Sequence, residues 1–202
     1  MKKTILFTLL VLCGCASGYR SIRPNATHYQ SSRDYSGLEF SYRMGVLSEH
    51  RNKKYAKRED KNGIRVVAVK LVNNTNRPLV VGEDFRFYTG NSELVLIDPT
   101  IVHAELKQGV PIYLLYLLMS PLQLYTSDEQ GQVRSTPIGL FLGPGIALGN
   151  VLGAGAANQN FLRELLRFNV INKTIEPGNT LFGLIGIRDN GYSPIGLGFQ
   201  DH

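Results

Sequence analysis

A chain of 202 residues with 22 Lys and Arg against 16 Asp and Glu carries a formal charge of +6, a basic excess too mild to mark a nucleic-acid binder. Its two cysteines, Cys13 and Cys15, both lie at the N-terminal end, which excludes a disulfide framework or a thiolate metal site in the rest of the chain. Lys2 and Lys3 precede an uncharged apolar run from Thr4 to Leu12, the charged-then-apolar layout of a secretory signal peptide. A bilayer core of ~30 Å needs about 20 apolar residues in a helix, so this run is predicted to direct export and then be removed.

At the end of the run, Leu12-Cys13-Gly14-Cys15 resembles the lipobox of bacterial lipoproteins, with Leu12 at −3, small Gly14 at −1 and Cys15 at +1. Cys13 fits poorly, since bulky Leu12 precedes it. The resemblance implies that residues 1–14 are cleaved and that Cys15 becomes the acylated N-terminus. Each buried methylene contributes about 0.8 kcal/mol, so two or three acyl chains anchor a protein firmly. Ala16 and Ser17 follow where an inner-membrane retention signal would place Asp, which implies the outer membrane of a Gram-negative cell and a domain facing the periplasm. Loss of Lys2 and Lys3 leaves a mature charge of +4.

Residues 15–37 are expected to form the lipidated N-terminus and a polar tether, and 38–202 a single domain. Leu38 to Val46 alternates apolar and polar residues as a half-buried strand does. Arg51 to Lys61 holds six cations and two anions. It reads as a solvated loop, with contact of Lys53, Lys54, Lys57 and Arg58 to an anionic surface as the functional alternative.

After the Asn62-Gly63 turn signal, Ile64 to Val72 is apolar on both faces, as a central strand covered on two sides would be. Asn73 to Pro78 breaks it. Leu79 to Val81, Asp84 to Tyr88, Glu93 to Ile97, Asn169 to Ile175, Thr180 to Arg188 and Tyr192 to Phe199 are further strand candidates. Short strands at this spacing predict a mainly β fold, a sandwich or barrel. The Asn-rich turn and the later Ile175-Glu176-Pro177-Gly178-Asn179-Thr180 turn resemble those of immunoglobulin-like accessory domains of bacterial envelopes, which implies an immunoglobulin-like β-sandwich.

An apolar interruption at about 110–157 divides these strands. Val110 to Tyr125 has no charge, a polar loop follows from Thr126 to Thr136, and Ile138 to Ala157 is again uncharged. Pro111 and Pro121 leave Ile112 to Ser120 as the uninterrupted helix of the first arm. The second arm carries six glycines and Pro144, a heavy cost for a helix in water. Gly145, Gly149 and Gly153 recur every fourth residue, which would place a small-residue stripe on one face. The stripe resembles the glycine-zipper domain of some outer-membrane lipoproteins, although Pro144 interrupts it and only one arm carries it.

Three readings of the interruption follow. The arms pack on the sandwich as core, they insert as a glycine zipper, or they form an exposed patch that docks a partner or dips into the leaflet. Leu114, Leu117, Leu118, Phe141, Gly145, Gly149 and Gly153 are the candidate contacts. Beyond them Asn158 is expected to cap a short amphipathic helix to about Arg167, covering an edge or end of the sandwich.

Catalytic signals are sparse. His28, His50, His103 and His202 lie far apart, and no Gly-x-Ser-x-Gly elbow or phosphate-binding Gly-x-x-x-x-Gly-Lys loop occurs. His103 and Glu105 would share a face if strand-borne, and Glu83, Asp84 and Asp98 are dispersed acids that a hydrolase site could draw on. The sequence thus points to a non-catalytic, lipid-anchored envelope protein with no cofactor or metal. It would act as an accessory or scaffold of a membrane complex or in envelope integrity, bound to lipid through Cys15 and to an envelope protein partner. A zipper lipoprotein and a periplasmic hydrolase are the alternatives.

Overall fold

A computed structural model describes residues 17–29, 32–127 and 131–200. Residues 1–14 and Cys15 lie outside the described residues. The chain divides into two compact units: a larger one of Tyr19–Lys107 with Asn158–His202, and a smaller one built on Gln108–Ala157.

Strand β3 (Ile64–Asn73) organises the larger unit. It pairs antiparallel with β2 (Leu38–Arg43) on one side and β10 (Thr180–Arg188) on the other, and β1 (Ser32–Tyr35) extends the sheet beyond β2. Successive side chains of a strand point to opposite faces, so the unbroken apolar run of β3 gives each face its own core. Val67, Val69 and Leu71 join Leu38, Phe40, Ile185 and Ile187 in one cluster. Against them pack Phe85 and Phe87 of β5 (Phe85–Thr89) and Leu197 of β11 (Gly196–Phe199). Here β5 lies between β11 and β6 (Ser92–Leu94) in a second antiparallel sheet. Leu79 of β4 (Leu79–Val80) and Ile175 of β9 (Thr174–Ile175), which pair with each other, complete this cluster.

On the opposite face Ile64, Val66, Ala68 and Leu184 are covered by helices. These are α1 (Val46–Glu49), α2 (Lys53–Asn62), α3 (Pro99–Leu106) and the end of α4 (Gly139–Arg167), which contribute Leu47, Tyr55, Val102, Leu106, Phe161 and Leu165. The fold is mixed α/β, which corrects the mainly β expectation: one face of the central sheet meets strands and the other meets helices.

Several elements differ from the sequence reading for local reasons. The basic run folds as α2, because Tyr55 and Glu59, four residues apart, bury one side while Lys53, Lys57 and Lys61 stay exposed. Helix α3 follows the expected strand Glu93 to Ile97, in a stretch to which the sequence reading assigned no element. The Asp98 side chain accepts from Thr100 N–H at 2.7 Å and Pro99 occupies the first turn, both favourable at a helix start. Asn158 caps nothing, because α4 runs through it.

Tyr19 to Tyr29 is not a free polar tether. Ile22 is buried, and the segment carries a 3-10 turn at Pro24–Ala26.

The smaller unit holds a 3-10 helix (Pro111–Met119), a hairpin of β7 (Leu124–Ser127) and β8 (Val133–Thr136) where a polar loop was expected, and residues 139–157 of α4. The helix start is tied back by Gly139 N–H to Leu122 C=O at 2.9 Å. A Cβ on Gly143 would lie 2.8 Å from Tyr116 O, so Gly143, outside the expected stripe, allows the close approach.

On β10, a Cβ at Gly186 would stand 2.2 Å from Val102 Cγ2. Gly186→Val is therefore expected to lower unfolding free energy by about 1–3 kcal/mol, with Val102→Ala recovering part of the loss in the double variant. Urea denaturation of the two variants checks this, and identical losses would refute the packing argument.

Candidate functional site

The apolar residues of the smaller unit are mostly on its surface. Of seventeen exposed large hydrophobic side chains among the described residues, thirteen fall between Leu114 and Leu152. Leu118 and Phe141, 76% and 80% exposed, are the most prominent. Leu114 and Leu117 are exposed as well, joined by Leu115, Leu140, Leu148 and Leu152, which the sequence did not single out. Gly145 and Gly149 face open space and Gly153 is exposed. The surface extends over the 3-10 helix, the hairpin and the first part of α4, which is long and apolar enough to cross a membrane by length and composition. Single exposed hydrophobics are ordinary, but so many concentrated in one unit make this surface a candidate site of contact.

A second constellation lies in the larger unit, where α4 presents Glu164. Its carboxylate is buried, yet it is paired with hydrogen-bond donors and, among the described residues, with no cation. Tyr19 OH donates to Oε2 at 2.6 Å, Ile22 N–H to Oε2 at 3.1 Å, Arg23 N–H to Oε1 at 3.0 Å, and Ser21 Oγ–H to Oε1. Arg23 adopts a left-handed backbone with φ 51°, unfavourable for a side-chain-bearing residue, and in doing so directs its N–H to the carboxylate. Tyr19 packs edge-on against Tyr55 at 5.5 Å and beside Phe161 at 5.3 Å. Burial alone would raise the Glu164 pKa, but the donors from Arg23, Ser21, Tyr19 and Ile22 outweigh it and hold the acid below its ordinary value. Burial and the Glu164 charge together push the Tyr19 hydroxyl up. The arrangement latches the N-terminal segment to α4.

The basic residues are divided by α2. Lys53 and Lys57 are exposed and Lys54 and Arg58 half-buried. Beneath them Glu59 accepts from Val66 N–H at 2.7 Å. Burial pushes its pKa up to about 7, with the Val66 bond and the Arg65 charge opposing.

The acids and histidine considered for hydrolysis have local roles. Asp98 caps α3, Asp84 bonds Val80 N–H and pairs with Arg77, and Glu105 accepts from Asn62. Glu83 is exposed, and so is His28, while His50 is half-buried; His202 lies outside the described residues. His103 and Glu105 sit two residues apart on a helix, where side chains do not face each other. The His103 ring lies 6.2 Å from Phe161. Burial first, then the Lys107 charge, lowers its pKa against a backbone hydrogen bond involving Asn158. Among the described residues no group of three or more His, Cys, Asp or Glu is placed to hold a metal ion. No protein-family model, curated protein or solved structure matches the chain.

Two outcomes follow from the buried acids. The folded state binds the Glu59 proton more tightly than the unfolded chain, so stability falls as pH rises from about 4.5 to about 7. Glu59→Gln should remove that slope and raise stability above pH 7 by up to about 3 kcal/mol, with no gain at pH 4; thermal melts across this range check it. Glu164 has the opposite sign. Its contribution is complete above the ordinary carboxylate range and is lost as pH falls through its lowered value. Glu164→Gln presents an amide N–H₂ to donors, and a loss of about 2 kcal/mol with faster proteolysis at residues 19–23 is expected. Unchanged cleavage there would refute the latch.

Proposed function

We propose that this chain is a non-catalytic lipoprotein of the bacterial envelope, acylated at Cys15, whose smaller unit lays its apolar surface against the lipid of the same membrane. The observation that carries the reading is the concentration of exposed large hydrophobics between Leu114 and Leu152. The lipobox resemblance supplies the membrane beside which that surface works. Tyr19 is held on Glu164, and the four residues from Cys15 to Tyr19 reach at most ~14 Å. The larger unit therefore serves as a scaffold held close to the headgroups, with an outer-membrane, periplasm-facing location as the sorting residues imply. Two antiparallel sheets meeting at one core cluster support reading its strand layers as an immunoglobulin-like sandwich backed by helices. An envelope protein partner would bind that scaffold.

Shallow engagement suits the surface better than two membrane passes. Nine residues of 3-10 helix rise ~18 Å, well short of ~30 Å of hydrocarbon. The length and composition of α4 favour a second reading, in which residues 139–157 insert and the open Gly145, Gly149 and Gly153 stripe meets another helix.

A chain starting at Ala16 behind an ordinary cleavable signal peptide separates the surface from the lipid. It is expected to remain with carbonate-washed membranes, and Leu118→Glu with Phe141→Glu should release most of it without lowering its melting temperature. Recovery of the unsubstituted Ala16 chain as soluble monomer would refute bilayer engagement. Cys15→Ser should abolish lipid labelling of the full chain, and persistent labelling would refute the attachment site.

A further inference from the structure

Beside the Glu164 latch lies an open groove of about 890 Å³ whose walls include Arg23, Asn25, Arg163, Arg167, Phe168 and Phe182. Three arginines are among its lining residues, all of them exposed. None of the three takes part in an ion pair among the described residues. Arg163 and Arg167 are one helical turn apart on α4, where like charges repel. Arg23 adds a third cation from a left-handed backbone position. The acid in the groove, Glu164, commits its acceptor sites to four donors of the N-terminal segment, so its charge lowers the balance of the groove from three positive charges to two without pairing with an arginine.

Two of the cations are held in place by contacts that leave guanidinium N–H groups to spare. Arg163 donates to Asn160 Oδ1, and the Arg167 guanidinium lies 5.3 Å over the Phe168 ring. A planar guanidinium held in this way binds phosphate oxygens through paired N–H donors.

We propose that this groove is a phosphate-binding site that takes the phosphate ester of an anionic lipid headgroup. The phosphate chemistry follows from the three arginines. The lipid source rests on the anchoring of Cys15 proposed above, since Tyr19 on the groove wall is four residues from that cysteine and within ~14 Å of it along the chain.

The test is calorimetric titration of the full mature protein in a neutral detergent, with acylation first established by intact mass, so that failure of the anchor is seen separately from failure of the groove. Dihexanoylphosphatidylglycerol and inorganic phosphate are the two titrants. Saturable binding of the lipid ester is expected, weakened about tenfold or more by Arg163→Gln with Arg167→Gln, and to a smaller extent by Arg23→Gln, which keeps the backbone N–H of the latch. The substituted side chains are exposed, and an unchanged melting temperature establishes that the variants are folded. Absence of binding, or binding indifferent to these substitutions in folded protein, overturns the site. Inorganic phosphate binding as tightly as the ester overturns the lipid assignment.

Discussion

A strand that is apolar on both faces must be covered twice, and β3 imposes that requirement on the larger unit. Its odd-numbered residues Val67, Val69 and Leu71 and its even-numbered residues Ile64, Val66 and Ala68 enter different clusters. Burial of a Val, Leu or Ile side chain contributes about 1.5–3 kcal/mol, so neither face can remain wet. Strands β5 and β11 with the β4–β9 pair close one side, while helices and Ile22 close the other. The helical layer brings α3 against β10 at Gly186 and places the last turns of α4 beneath the N-terminal segment.

The position of that segment sets the relation between fold and anchor. Glu164 is expensive to bury as a charge and has no ion-pair partner among the described residues to repay the cost. Four donors supplied by Tyr19, Ser21, Ile22 and Arg23 replace its water. A carboxylate satisfied by backbone N–H groups requires one particular chain path, which is why Arg23 accepts a left-handed conformation. In the proposed lipoprotein, this fixed path replaces a long flexible leash. The acylated residue and the folded scaffold are then separated by only a few residues of chain, and groups around the latch work at headgroup depth.

The legible parts of the fold were those in which local pattern and burial agree. Ile64 to Val72 was recognisable as a doubly covered strand because both periodic faces are apolar, and Thr180 to Arg188 because turn residues bound it. Helix α2 was hidden because its burial rests on Tyr55 and Glu59 among six other charged residues from Lys53 to Lys61. A buried acid has no apolar signature. Helix α3 carried a legible start in Asp98-Pro99, but its short apolar content fits a strand as well. The latch was illegible in principle. Its donors are two hydroxyls and two backbone amides brought to Glu164 from more than 140 positions away in sequence, and no local pattern encodes that meeting.

Helix α4 joins two kinds of chemistry in one element. From Asn158 onward it buries Phe161 and Leu165 and presents Glu164, and packing stabilises it there. Residues 139–157 contain six glycines, each costing about 1 kcal/mol relative to alanine in a water-exposed helix. Pro144 adds to that cost, because it stands in the second turn, past the first helical positions, and removes the bond that an N–H there would make to Leu140 C=O. Leu140, Phe141, Leu148 and Leu152 remain exposed on this part, so packing within the chain offsets little of the glycine cost. An apolar medium changes both terms: it removes these side chains from water, and it penalises any backbone group that leaves its helical bond. The half of α4 with the poorest intrinsic helix propensity is therefore the half that contact with lipid would stabilise most.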